Sequence, residues 1–88
     1  MEKDFFLDRT EETRQCNKNK MGDYVLICEK YMQPYASKVS DLTYGKIIEI
    51  LTRHDHPRGI KVKVIQQNKR IATGRIVYKV RCGKILRK

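Results

Sequence analysis

The chain has 88 residues, 40% of them apolar and 34% charged, and a formal net charge of +10. A chain this short buries only about 60–65% of its unfolded surface, so it makes one small domain with a thin core and no room for a large internal active site. The regular alternation of its apolar residues argues for a folded body rather than a disordered chain.

The charge is unevenly placed. Residues 1–52 carry eight Lys/Arg against nine Asp/Glu, whereas residues 53–88 carry twelve Lys/Arg against Asp55 alone. An excess gathered so completely into one part points to a polyanionic partner, with nucleic acid or a ribonucleoprotein ahead of an anionic membrane; the plainer alternative is a solubilising surface. No apolar run has the length of a signal peptide or of the ~20 residues that span a membrane, so an intracellular, cytoplasmic location is the expectation. Cys16, Cys28 and Cys82 are odd in number, scattered, and form no CxxC pair, which argues against a disulfide framework.

In chain order, residues 1–20 read as a polar N-terminal extension, 21–82 as the folded domain and 83–88 as a basic tail. Asp8 followed three positions later by Glu11 predicts a capped short helix over about 9–16. Phe5, Phe6 and Leu7 either pack back onto the domain, which is the commoner outcome, or anchor the arm to a protein partner. Residues 17–20 read as a solvated linker and 21–23 as a turn. Residues 24–28 predict a strand running on towards Tyr31, and 33–41, with Pro34 and small polar residues, a loop.

Strands are expected at 42–52 and 60–66. In the second, Ile60, Val62 and Val64 face one way and Lys61 and Lys63 the other. The intervening turn holds Pro57 and Gly59, and glycine can take a positive φ there. Residues 66–70 predict a polar hairpin connection and 71–80 a further strand, in which Gly74 marks a bulge or a close backbone approach. Residues 82–88 add a last short strand or trail as a tail. Several short strands in so small a chain predict an all-β fold, a small antiparallel barrel whose closure removes exposed edges.

The strongest candidate constellation is a basic ladder. Lys61 and Lys63 share one face of their strand, and Arg75, Lys79 and Arg81 share one face of the next. Paired as a hairpin, these place five cations on one surface, with Lys69 and Arg70 at its tip and Arg58 on the preceding turn. Phosphates are met by point charges and forked donors at repeated spacing, which Lys and Arg supply. The plain alternative is the charged solvent face of a barrel.

Tyr24, Tyr31, Tyr35, Tyr44 and Tyr78 are the candidates for stacking on unpaired bases; Tyr35 and Tyr44 flank the long loop and are the pair expected to be exposed, while Tyr78 alternates with Ile76 and Val80 and reads as core. Packing remains the commoner fate of any one tyrosine. His54, Asp55 and His56 invite a metal reading, but no second ligand pair accompanies them, and Pro57 and Gly59 are accounted for by the turn; no metal or cofactor is expected. No Ser or Cys nucleophile sits at a recognisable elbow, and Cys28 fits as a small buried residue, so a non-catalytic protein is expected.

Several segments together resemble a known family. Met21-Gly22-Asp23-Tyr24-Val25-Leu26-Ile27, Leu42 through Thr52, His56-Pro57-Arg58-Gly59-Ile60-Lys61-Val62-Lys63-Val64 and Gly74-Arg75-Ile76 are similar, in order, to segments of the YwbE-like family of small, largely uncharacterised bacterial domains, also found fused within larger eukaryotic proteins. The resemblance covers about residues 21–80. It implies a compact SH3-like barrel similar to the KOW domains of ribosomal and transcription proteins, and through that fold an association with nucleic acid or the ribosome. The chain departs from the family in its extension at 1–20, in having Gln66-Gln67-Asn68-Lys69-Arg70 where the family has an acidic, glycine-bearing turn, and in its basic end.

The function expected from these readings is a non-catalytic module that contacts RNA within the ribosome or another ribonucleoprotein, using Arg58, Lys61, Lys63, Lys69, Arg70, Arg75, Lys79 and Arg81. The alternative is a protein–protein interaction module, an assembly or inhibitory factor of phage or viral type, that uses the barrel groove and the arm.

Overall fold

The computed structural model describes residues 6–88; Phe5 and the residues before it, with their part in the arm reading, lie outside the described residues. Among the described residues five strands form, β1 (Tyr24–Glu29), β2 (Thr43–Ile50), β3 (Lys61–Ile65), β4 (Ile71–Arg81) and β5 (Lys84–Ile85). All pairings are antiparallel, in the order β1-β2-β3-β4, and β1 also pairs with β4, so four strands close a barrel and β5 extends it. The long β4 makes closure possible: one edge meets β1, while the other meets β3 over its first half and β5 at its end. Among the described residues no helix is long and apolar enough to cross a membrane.

Period-2 alternation fills the barrel. Val25, Ile27, Ile47, Ile60, Val62, Val64, Ala72 and Ile76 form the interior cluster, all almost fully buried. Each such aliphatic side chain contributes about 1.5–3 kcal/mol relative to exposure. A second cluster lies on the other side of β1, where Leu26 and Cys28 alternate out of the barrel. Short 3₁₀ turns at Lys30–Met32 and Val39–Asp41 fold the 30–42 segment over that face, and Met32, Ala36, Val39 and Leu42 cover it with Phe6, Val77 and Tyr78.

Two register shifts shape the strands. Ile48 is extra between Ile47 and Glu49 of β2, and Val77 is extra in β4, since Leu26 opposes Tyr78 while Ile27 opposes Ile76. A bulge of this kind reverses the inside–outside alternation downstream.

Residues 6–20 belong to the folded body. Arg9, Thr13 and Asn19 are buried, and the Thr13 carbonyl accepts the Ile60 N–H at 2.9 Å. The expected helix at 9–16 is replaced by 3₁₀ turns at Glu11–Arg14 and Cys16–Lys18. Asp8 does not cap: its carboxylate accepts the Tyr78 hydroxyl and, at 2.7 Å, Arg87 Nε. The segment lacks an apolar stripe to hold a helix, and the buried Asn19 amide donates at 2.8 Å to the carbonyls of both Glu12 and Gln15. Phe6 packs edge-on to Tyr78 with ring centroids 6.0 Å apart, whereas Leu7 is 78% exposed. The end of the chain is also tied down, by β5, by the Arg9–Arg87 bridge and by the Lys88 N–H donating to the Asp8 carbonyl at 2.8 Å.

Two glycines allow the closure. Gly59 has φ +102°, and a Cβ there would lie 2.1 Å from the Ile76 carbonyl oxygen; a Cβ on Gly74 would lie 2.3 Å from that of Cys28. Both obstacles are backbone, so they cannot rotate away. Gly74→Ala is expected to destabilise the protein by more than about 2 kcal/mol, against about 0.5 kcal/mol or less for exposed Ser40→Ala; urea denaturation of the two variants measures the contrast.

Candidate nucleic-acid interface

β3 and β4 carry the first part of the expected ladder as a pair. Lys61 opposes Arg75 and Lys63 opposes Thr73 on the outside of the barrel. Arg75 in turn opposes Cys28, and Gly74 opposes Glu29, which brings the residue after β1 to the same place. The result is a cleft of about 360 Å³ lined by Lys30, Gln33, Lys61, Thr73, Gly74 and Arg75. Three cations converge there, and among the described residues no carboxylate lines it. Arg75 is held by its Nη1 donating to the Gly59 carbonyl at 3.1 Å, and Gly74 leaves the wall without a side chain. Lys30 was not among the residues expected from sequence, because only the β1–β4 pairing brings it beside Lys61 and Arg75.

The second part of the ladder is turned away, which corrects the expected five-cation surface. Downstream of the Val77 bulge, Lys79 opposes Val25, whose side chain is in the barrel core, so Lys79 points inward at the barrel mouth. Its side chain is 7% exposed, and Nζ donates to the Lys18 carbonyl at 2.7 Å and to Asp23 Oδ2 at 3.1 Å. Burial pushes the Asp23 carboxyl up, but the Lys20 amide and Lys79 outweigh it and hold the group below the usual carboxylate range. Arg81 pairs with Glu12 at 3.7 Å, Arg87 with Asp8 at 2.7 Å and Lys63 with Glu49 at 3.4 Å. The carboxylates of the N-terminal part thus neutralise a share of the C-terminal cations.

The remaining candidates are spread over the surface. Lys69 and Arg70 are exposed at the β3–β4 hairpin, where Lys69 takes φ +72° and the Gln66 N–H donates to the Arg70 carbonyl at 2.8 Å. Arg58 lies exposed on the 53–59 loop, its carbonyl accepting Arg9 Nη1 at 2.8 Å. Tyr35 is exposed. Tyr44 is 40% exposed and stacks on Tyr24, which is 46% exposed. Tyr78 is buried as expected, but in the outer cluster on the opposite face from Ile76, because the Val77 bulge breaks their alternation.

The 53–59 loop acts as a structural clasp. Asp55 Oδ1 accepts the Cys16 N–H at 2.9 Å, the Arg14 carbonyl accepts the His56 N–H at 2.9 Å, and Arg14 Nε donates to the Pro57 carbonyl at 2.7 Å. Among the described residues no group of three or more His, Cys, Asp and Glu is placed to hold a metal ion. Cys16 is half-buried, Cys28 buried and Cys82 exposed. His56 Nδ1 accepts the Arg58 N–H at 3.1 Å, and burial, aided by the nearby Arg75 and Arg58 charges, keeps its imidazole below its ordinary pKa.

These features define a small closed antiparallel β-barrel with one added strand and a basic cleft on its outer wall. The chain belongs to the uncharacterised conserved protein family DUF2196, which matches residues 12–76. The match starts inside the segment expected to be an extension and ends one residue before the Val77 bulge. No curated protein and no solved structure matches the chain.

Because burial and the nearby Arg75 and Arg58 charges disfavour the protonated imidazole of His56 in the folded state, its contribution to stability is complete above its unfolded pKa of about 6.5 and is lost as the pH falls below that value. Melting temperature should drop between about pH 7.5 and pH 5.5, and His56→Gln should flatten that part of the profile. Thermal denaturation followed by circular dichroism at several pH values measures both; an unchanged slope in the variant removes His56 from the account.

Proposed function

We propose that this protein is a non-catalytic RNA-binding module of a ribonucleoprotein, the ribosome foremost, working in the cytoplasm. The observation that carries the reading is the convergence of Lys30, Lys61 and Arg75 on a cleft with no carboxylate among the described residues that line it. Unscreened cations gathered at a concave surface raise the local concentration of anions, and Arg adds a forked donor suited to phosphate oxygens. Lys69 and Arg70 extend the positive surface along the same hairpin. Lys63 and Arg81 contribute conditionally: their ion pairs with exposed or half-exposed carboxylates are worth about 0–1 kcal/mol, so a phosphate can compete for them. Lys79 takes no part in phosphate binding. The similarity to YwbE-like domains and to the KOW type of SH3-like barrel points the same way, by analogy of fold.

Fluorescence anisotropy with a labelled single-stranded RNA, repeated across a salt series, tests the reading. The wild type should lose affinity with a log–log slope of about −0.7 for each phosphate contacted. The double variant Lys61→Glu, Arg75→Glu should bind at least tenfold more weakly and with a shallower slope, measured at a temperature where its thermal melt shows it folded. Lys79→Met, in contrast, should lower stability by about 1–3 kcal/mol by removing the Nζ hydrogen bonds to Asp23 and the Lys18 carbonyl, with the salt slope unchanged wherever the variant is folded. Salt-insensitive binding, or full affinity in the double variant, would overturn the reading.

A further inference from the structure

Tyr24 and Tyr44 are placed side by side by strand register: Tyr24 opposes Lys46 and Tyr44 opposes Leu26 across β1 and β2. Their rings stack with centroids 5.7 Å apart and planes 13° from parallel. At 46% and 40% exposed, both keep aromatic surface in water although no fold requirement demands it. Lys46, the cross-strand neighbour of Tyr24, is exposed beside them.

Tyr44 also forms a wall of a second cleft, open and about 380 Å³ in volume. Leu42 and Thr43 continue that wall, and Gln66, Gln67 and Asn68 of the β3–β4 hairpin line the rest. Lys69 and Arg70 follow directly on that hairpin. One small region therefore combines a flat ring, three side-chain amides and flanking cations. A nucleobase offers the matching features, a π-face and an edge of mixed donors and acceptors, and amide groups both donate and accept. An apolar peptide would leave the amides and the cations unused.

We propose that this cleft binds an unpaired nucleobase of single-stranded RNA. The base stacks on the face of Tyr44 that is turned away from Tyr24, its edge meets Gln66, Gln67 and Asn68, and the adjoining phosphates meet Lys46, Lys69 and Arg70. The inference rests on the RNA reading above and deepens it, because a base inside a duplex presents no face to stack on.

The test compares three probes on the full chain: a single-stranded RNA octamer, an octamer of the same phosphate count with abasic sites, and a duplex of the same length. The intact single strand should bind about tenfold more tightly than either of the others. Tyr44→Ala should bring the intact strand down to the abasic level, and Tyr44→Phe, which keeps the ring, should retain the preference; circular dichroism melts verify that both variants are folded. Equal affinity for intact and abasic strands, or an unchanged preference in Tyr44→Ala, overturns the base site while leaving phosphate contact standing. Absence of binding to all three probes overturns both readings.

Discussion

One extra residue in β4 decides how the two ends of this chain are held. Val77 lies where the β1–β4 register slips, so Ile76 points into the barrel, Tyr78 out of it and Lys79 in again at the mouth. Tyr78 meets Phe6, donates its hydroxyl to Asp8 and lies under Arg87, whose guanidinium carbon is 5.0 Å from the ring centroid. That hydrogen bond, joined by Arg87, holds the Asp8 carboxyl below its ordinary range, while burial and Asp8 push the Tyr78 hydroxyl up. Lys79 grips Asp23 and the Lys18 carbonyl from the other side. Without the slip, the outer position would fall to Lys79 and the mouth to Tyr78.

The same turn of the strand changes what the charge distribution means. A sequence whose cations gather in residues 53–88 invites the view that all of them await a polyanion. In the fold, Asp8, Glu12, Asp23 and Glu49 come back to meet Arg87, Arg81, Lys79 and Lys63. Part of the segregation is therefore internal complementarity between the first segment and the last strands. Of the cations expected to meet phosphate, Lys61 and Arg75 converge with Lys30, while Lys69 and Arg70 on the hairpin and Arg58 on the 53–59 loop lie exposed. A concave group of cations is also a stronger statement than a long one, because convergence multiplies the field at a single point.

The elements legible from sequence are those fixed by local physics. Alternation in 60–65 sets the inside and outside of β3 without reference to any other strand, and the φ of Gly59 and the close approach at Gly74 follow from the special residue that each position holds. The burial of Tyr78 follows from its apolar neighbours. Illegible were the features set by pairing. Nothing in Ile-Val-Tyr-Lys-Val announces a bulge at Val77, and a strand extrapolated at strict period two carries Lys79 and Arg81 to the wrong side. Lys30 was missed for a related reason, since it gains its setting from a strand distant in sequence. The polar residues at 8–19 looked like a solvated arm because hydrophobicity was the only guide to burial; Arg9, Thr13 and Asn19 are buried through hydrogen bonds instead.

A barrel this small cannot enclose a ligand: its interior is filled by Val25, Ile27, Ile47, Ile60, Val62, Val64, Ala72 and Ile76. In the proposed RNA reading, recognition is spread along the outer wall, and the β3–β4 hairpin organises it. The cationic cleft sits at the base of the hairpin, at Lys61 and Arg75, and the amide-lined cleft at its far end, at Gln66 to Asn68. With about 3.3 Å per residue, the five residues of β3 separate the two by roughly 16 Å, with Lys63 between them. Cations alone attract any polyanion and select none. Placing a stacking ring and side-chain amides one strand-length from the charge cluster would restrict the partner to one that offers phosphates and an exposed base at matching distance, which an extended single strand does and a closed duplex does not.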